Sequence, residues 1–579
     1  MSEKHFDAVI VGSGFGGSVM AYRLAKAGLR VCLLERGKAY PPTSFPRSPF
    51  AMKKNFWNPS NGLYGMFNVW SFEQTSSIVS SGLGGGSLIY ANVLLRKDEK
   101  WFVREEPQRD GYEYWPVTLA DLDSHYTNVE QMMNAQRYPF DRFPYNRTAK
   151  TIALKVAANE MHAELCMPKL AVTFGNKDED PVPGEPIREA ANLHGRTRYT
   201  CRLCGECDIG CNYGSKNTLD FTYLSRAALD YHADIRTCCE VRSFEPKDGG
   251  GYAIHYVVHD PGKYEGKKVS THDPNILPLQ TITADRLILS AGTYGSTYLL
   301  LKAKKNQKAF RGISNQLGTH FSGNGDMINF AVKCSDSAMG KREPRIIDGG
   351  YGPVITGALR FGDVVDGDGS KQRGFYIQDA GYPEFVNWML QIFDAPGELE
   401  QAFHVALRLF EAKLEGREET DFSNYISQMF GSCELSSGLL PLLGMGRDIP
   451  NGVMHLQQDD LLQMKWKKEQ AGPYYSALRE KMQQISQVLG ATFIDDPLWF
   501  LKRTITVHPL GGCPMGRNAA EGVVDSYGQV FCGDGVYEGL YVADGSVMPG
   551  PVGANPSLTI AALADRFADG IIKKRAGQV

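Results

Sequence analysis

Apolar residues run from Phe6 to Val11, interrupted only by Asp7, and return from Val31 to Leu34; between them Val19, Met20, Leu24 and Ala27 recur at helical spacing. The pattern predicts a strand over 6–11, a helix over 16–28 with Gly28 as its cap, and a strand over 30–35, together a βαβ unit. Residues 40–76 mix Pro, Asn and Ser with many aromatics, too apolar for a linker, and read as a cover over a buried ligand. Residues 120–165 read as helical, a helix is predicted over 218–232, and strands near 235–243, 252–258 and 284–290. Alternation over 330–395 predicts strands of a second sheet. Leu399, Phe403, Leu407, Phe410 and Leu414 share one face of a helix over 397–415, which packs on a core or serves as a lid or partner surface. A further helix is expected over 472–489.

The turn inside the βαβ unit is Gly12-Ser13-Gly14-Phe15-Gly16-Gly17, a G-x-G-x-x-G run between strand and helix. Gly12 permits the tight turn, Gly14 lets the backbone approach a pyrophosphate at the helix N-terminus, and Gly17 lets helix and strand pack closely. Glu35 ends the second strand, 23 residues after Gly12, where a carboxylate accepts hydrogen bonds from an adenosine ribose. Strand, turn, helix and acid together point to a dinucleotide. A second close-approach segment, Gly84-Gly85-Gly86-Ser87 with Asn92 after it, decides which one. A nicotinamide cofactor has no need of a second segment so soon, whereas a buried isoalloxazine with its ribityl chain does, so FAD is expected. Ser290-Ala291-Gly292 ends an apolar strand and suits a further strand end facing the cofactor.

Chemistry concentrates near the C-terminus, in Val507-His508-Pro509-Leu510-Gly511-Gly512-Cys513, then Ala543-Asp544-Gly545-Ser546, then Ala554-Asn555-Pro556. A lone histidine is as often a satisfied core residue as a catalytic one. His508, held by Pro509 and two glycines, suits removal of an alcohol proton, because an imidazole titrates near neutrality. Asp544 and Gly545 suit a cofactor hydroxyl or phosphate. Asn555, preceding a proline, is disfavoured in a helix, which leaves its amide free to be aimed at a small target.

The 579 residues suffice for two or more folding units, and a net charge of −3 gives no reason to expect nucleic acid or an anionic membrane. No apolar run is long enough to span a bilayer, and the first strand begins too early for an export signal, so a cytoplasmic address is expected. Of the 12 cysteines, Cys201, Cys204, Cys207 and Cys211 form one tight cluster. Their C-x2-C-x2-C-x3-C spacing is that of a ferredoxin cluster loop, although Asn212 stands where ferredoxins have proline. Three readings remain open: an iron–sulfur cluster, tetrahedral zinc, or a structural loop of free thiols or disulfides.

Taken together, these segments resemble the glucose–methanol–choline (GMC) oxidoreductases from end to end, and the pairing of His508 with Asn555, in place of a second histidine, resembles the cholesterol oxidase branch. Gly323-Asn324-Gly325-Asp326 resembles that branch's flavin-side loop. The resemblance implies an α/β FAD-binding, Rossmann-like domain built from 1–120, 201–330 and 500–579, and an α+β substrate domain from 121–200 and 331–499 with a six-stranded antiparallel sheet backed by helices. It assigns Gly12, Gly14, Gly17, Glu35, Gly84, Gly85, Gly86, Ser87, Asn92, Val241, Ala291, Asp544 and Gly545 to FAD, and His508 and Asn555 to positioning and deprotonating an alcohol. Some sugar dehydrogenases of the family carry an iron–sulfur cluster where this chain has its cysteine-rich loop, 197–216. Cholesterol oxidases also shift a double bond with a glutamate; Glu434 is the candidate here and Glu384 its rival, and a solvated carboxylate is an equally good account of each. Aromatic and aliphatic residues over 376–445 favour a sterol or long-chain alcohol over a sugar. The expected partners are a hydrophobic alcohol and either oxygen or another electron acceptor. The competing expectations are a dehydrogenase passing electrons through a cluster to a quinone or carrier, and an electron-transfer flavoprotein without alcohol chemistry.

Overall fold

The computed structural model describes residues 5–106, 111–267, 276–338, 341–383, 437–496 and 503–577. The chain opens on β1 (His5–Val11), α1 (Phe15–Lys26) and β2 (Val31–Leu34), continues through α2 (Leu119–Met132), α3 (Ala149–Glu160) and β3 (Glu164–Cys166), and reaches β4 (Asp234–Arg236), β5 (Cys239–Pro246), β6 (Tyr252–Val258), β7 (Gln280–Leu289) and α4 (Gly292–Asn306). Then follow β8 (Met327–Val332), β9 (Ala358–Phe361), β10 (Phe375–Asp379), β11 (Leu440–Gly446), α5 (Gly472–Val488), β12 (Thr492–Asp495), β13 (Gly535–Val542) and α6 (Ser557–Arg575).

Two sheets organise these elements. In the first, parallel strands stand in the order β4-β2-β1-β7-β13. The first half of β7 pairs instead with antiparallel β6, which continues to β5. Ala8, Val9, Ile10, Leu33, Leu287, Ile288 and Leu289 are fully buried, as a parallel strand covered on both faces requires. Helix α1 and helix α6 pack against one another beside this sheet, and α2 packs on α6. The buried carboxylate of Asp565 on α6 ties the three together, accepting from His125 Nδ1 at 2.7 Å, from Asn128 Nδ2 at 3.2 Å and from Arg23. The second sheet is antiparallel and six-stranded, in the order β3-β9-β10-β11-β8-β12, with α3 and α5 against it.

Several predicted bounds shift. The helical stretch 120–165 is two helices separated by a loop that carries short turns, and the helix expected over 218–232 is confined to Tyr223–Leu229. Before it, the side chains of Asn217 and Asp220 are spent on contacts with Thr173 and His194 of neighbouring loops instead of on a helical turn. Gly28, at φ +80°, ends the first helix as its pattern requires. The expected helix over 397–415, together with Glu384 and Glu434, lies outside the described residues. Among the described residues no helix is long and apolar enough to cross a membrane.

Candidate active site

The carboxyl ends of β1, β2, β7 and β13 converge on one edge, where an open α/β sheet binds its ligand. Gly12 turns there at φ +99°, and a Cβ on it would strike the Ser290 carbonyl; a Cβ on Gly17 would strike the Gly12 carbonyl. Both glycines are therefore required by close packing. Gly14 and Gly86, by contrast, face open space, which leaves their backbone free to approach a cofactor. Glu35 sits over this turn: its carboxylate accepts from the Ser13 N–H at 3.0 Å, the Ser13 hydroxyl at 2.6 Å and the Gly37 N–H at 2.8 Å. Gly84 and Gly85, both at positive φ, bring the second glycine segment onto the first, and Ser87 closes its turn by donating to the Gly84 carbonyl at 2.7 Å. Asn92 is fully buried at positive φ, and its amide faces the Cys207 thiol. This cradle, with Gly14 and Gly86 open at the carboxyl edge of the sheet, fits FAD.

Val241 lies on β5, whose first N–H, that of Cys239, donates to the Glu35 carbonyl at 2.8 Å. Ala291 follows β7 and its N–H donates to Ser296 Oγ at 3.0 Å. Asp544 is engaged from both sides, accepting from the Ser546 N–H and hydroxyl on Oδ1 and from the Gly292 N–H and Ser296 hydroxyl on Oδ2. It pins the Gly545 turn to the start of α4, and burial pushes its carboxyl above the usual range.

His508 follows a short strand, Thr504–Thr506, that pairs with Thr75–Ser77. Its Nδ1 stands 2.8 Å from Asp326 Oδ1. Asp326 Oδ2 accepts three more bonds, from the Thr506 hydroxyl at 2.8 Å, the Val507 N–H at 2.9 Å and the His508 N–H at 3.1 Å. Asn324, two residues before Asp326, grips the other segment: its amide donates to the Ala554 carbonyl at 2.9 Å and accepts from the Gly553 N–H at 2.9 Å. One loop, 323–326, thus ties the segment that carries His508 to the segment that precedes Asn555. Asn555 in turn meets Gln378 of β10, whose Nε2 donates to Asn555 Oδ1 at 2.7 Å. The site lies between the two sheets. Gln378 was not foreseen, although one amide in the apolar strand Phe375-Tyr376-Ile377-Gln378 is a visible signal.

The cysteine loop forms a second feature. Cys201, Cys204, Cys207 and Cys211 line one cavity together with Val172, Tyr213 and Lys216. No disulfide joins them in the structure. Burial pushes the thiols of Cys201, Cys204 and Cys207 up, opposed at Cys207 by the Lys216 ammonium. Lys216 spans two regions, donating to the Leu88 carbonyl behind the second glycine segment at 3.0 Å and to the Cys207 carbonyl at 2.7 Å. Among the described residues no three or more Cys, His, Asp or Glu side chains are gathered to hold a single metal ion.

A family model described as GMC oxidoreductase matches residues 467–564, and one described as an NAD(P)-binding Rossmann-like domain matches residues 10–39. An uncharacterized GMC-type oxidoreductase of Sinorhizobium fredii is 47% identical over 583 residues, 97% of this chain and 94% of that protein. This chain is a GMC oxidoreductase. As a member of that family it is a flavin enzyme acting on CH–OH groups. A cholesterol oxidase of Mycobacterium tuberculosis is 27% identical to this GMC oxidoreductase, over 97% of this chain and 90% of that one. The structure of a fungal aryl-alcohol oxidase covers 100% of both chains with a TM-score of 0.55 and 14% identity, a likeness of fold.

Proposed function

We propose that this GMC oxidoreductase oxidises a hydrophobic alcohol, a 3β-hydroxysterol such as cholesterol ahead of a long-chain alcohol, with His508 as the proton acceptor. The observation that carries the reading is the committed imidazole: Nδ1 is held by Asp326, and no described residue hydrogen-bonds to Nε2. FAD, when bound on the glycine cradle, supplies the hydride acceptor. His508 Nε2 takes the hydroxyl proton, and Asn555, whose Oδ1 is occupied by Gln378, presents its N–H to the same oxygen. The apolar preference is supported by the sheet face carrying Gln378. Leu443 stands opposite Gln378 in the neighbouring strand, and Met445 stands opposite Tyr376 on that same face. The 27% identity to a cholesterol oxidase points the same way.

Anaerobic mixing with cholesterol, a long-chain primary alcohol or a sugar tests the reading through bleaching of the bound flavin. Cholesterol is expected to bleach it fastest, and His508→Ala to slow bleaching about 10²–10⁴-fold with FAD content unchanged. Wild-type rates in His508→Ala overturn the role of the histidine; bleaching by the sugar alone overturns the substrate class.

A second reading is favoured by the cysteine cavity. Four thiols on one cavity are the donor set of an iron–sulfur cluster, which spreads its ligands around a body larger than a single ion. A cluster held by Cys201, Cys204, Cys207 and Cys211 would supply a one-electron outlet and make the enzyme a dehydrogenase for a quinone or carrier protein.

A further inference from the structure

The role of Asp326 rests on the reading of His508 as base, and deepens it. Asp326 is buried, and its carboxylate is fully committed: Oδ1 to His508 Nδ1, Oδ2 to the Thr506 hydroxyl and the Val507 and His508 N–H groups. An ionised carboxylate only accepts hydrogen bonds, so the imidazole nitrogen facing it is the one that carries the proton. We infer that Asp326 is a positioning residue that fixes His508 as its Nδ1–H tautomer and so keeps the lone pair of Nε2 turned toward the substrate hydroxyl.

The bond count makes the inference sharp. In the step it serves, the alcohol O–H bond breaks and its proton goes to Nε2, while the electron pair of the carbinol C–H bond leaves as hydride for the oxidised flavin. Only a neutral imidazole with its proton on Nδ1 can take part at Nε2. Three of the four donors around Asp326 are backbone N–H groups or a hydroxyl on one side, all on Oδ2. An asparagine at this position would turn its oxygen to those three donors and its NH2 to His508 Nδ1. The NH2 can only donate, so Nδ1 becomes the acceptor and the proton moves to Nε2. The isosteric replacement therefore inverts the tautomer while leaving the packing in place.

Asp326→Asn, His508→Ala and the double variant, each as holoenzyme, test this. Asp326→Asn is expected to slow flavin reduction by cholesterol about 10²–10⁴-fold, with flavin content and unfolding temperature near wild type. The double variant is expected to be no slower than His508→Ala, because Asp326 acts only through the imidazole. Additive losses would overturn the inference, as would a fast Asp326→Asn beside a slow His508→Ala. A fast His508→Ala would overturn the reading of the base itself. Nitrogen-15 spectra of the histidines in alkaline buffer give a readout independent of substrate. The resonance missing in His508→Ala is expected to report Nδ1–H in the wild type and Nε2–H in Asp326→Asn. An Nε2–H tautomer in the wild type overturns the inference even if Asp326→Asn does not fold.

Discussion

Gln378 and Asn555 meet amide to amide, Gln378 Nε2 donating to Asn555 Oδ1 at 2.7 Å, with the reverse bond longer at 3.5 Å. The short bond fixes which end of Asn555 is spent on the protein, although the two residues belong to different layers of the molecule. Gln378→Leu is therefore expected to free the Asn555 amide to rotate and to slow flavin reduction, by less than Asn555→Leu, which removes the donor altogether. A lost hydrogen bond that leaves a buried partner costs about 1–3 kcal/mol, or roughly one to two decades in rate. Stopped-flow reduction of the two variants with the same alcohol checks the ranking.

Gly85 lies directly on Gly14: a Cβ on it would stand 2.6 Å from the Gly14 Cα, and its φ of +51° already disfavours a side chain. Gly85→Val is expected to push the two glycine segments apart and to yield protein with little bound FAD. The ratio of visible to ultraviolet absorbance of the purified variant reads this out. Full flavin content would show that the contact is not needed for the cradle.

Cys207→Ser separates the two readings of the oxidant. If the four cysteines hold a cluster, iron and acid-labile sulfide fall together with turnover on a dye or quinone, while reduction of the flavin by alcohol is retained. If they do not, metal content and acceptor preference stay unchanged and reoxidation by oxygen, with peroxide release, is the expected course. Metal analysis and acceptor assays on wild type and variant decide between them.

His320 sits in a left-handed conformation with Nδ1 donating to the Pro549 carbonyl at 3.0 Å. Burial, aided by the Arg104 guanidinium, pulls its imidazole from 6.5 down to about 4. The folded protein thus resists a proton that the unfolded chain accepts. Stability from this group is fully present above pH 6.5 and is lost as pH falls toward 4, by an amount on the order of 3 kcal/mol. Unfolding temperatures of wild type and His320→Asn across that range should converge at acid pH, the variant showing the flatter profile.

Much of this was legible in the chain. The βαβ unit and its glycine turn are local, and each residue's neighbours in sequence are also its neighbours in space. The helix over 472–488 follows from periodicity for the same reason. The pairing of His508 with Asp326 is a different case. Asp326 follows a Gly-Asn-Gly turn that marks a special loop, but nothing local says that its carboxylate turns toward a histidine so distant along the chain. The same holds for Arg447 and Asp363, a fully buried ion pair with Nε donating to Oδ2 at 2.6 Å, invisible to hydrophobic patterning because both residues read as surface positions. Asp544 shows the opposite limit. Its place at a strand end was readable, while the four protein donors that take up its carboxylate were not.

The parallel core of the first sheet sets β1 between β2 and β7, and β7 beside β13. A ribosome delivers β1 and β2 early, β7 hundreds of residues later, and β13 later still. At about 5–20 residues per second, the opening βαβ unit waits some tens of seconds before β7, the partner of its β1 edge, emerges. During that interval β1 has an unpaired apolar edge of the kind that seeks any other strand. Co-expression of a holding chaperone that shields this edge until β7 emerges is therefore expected to raise the yield of folded enzyme.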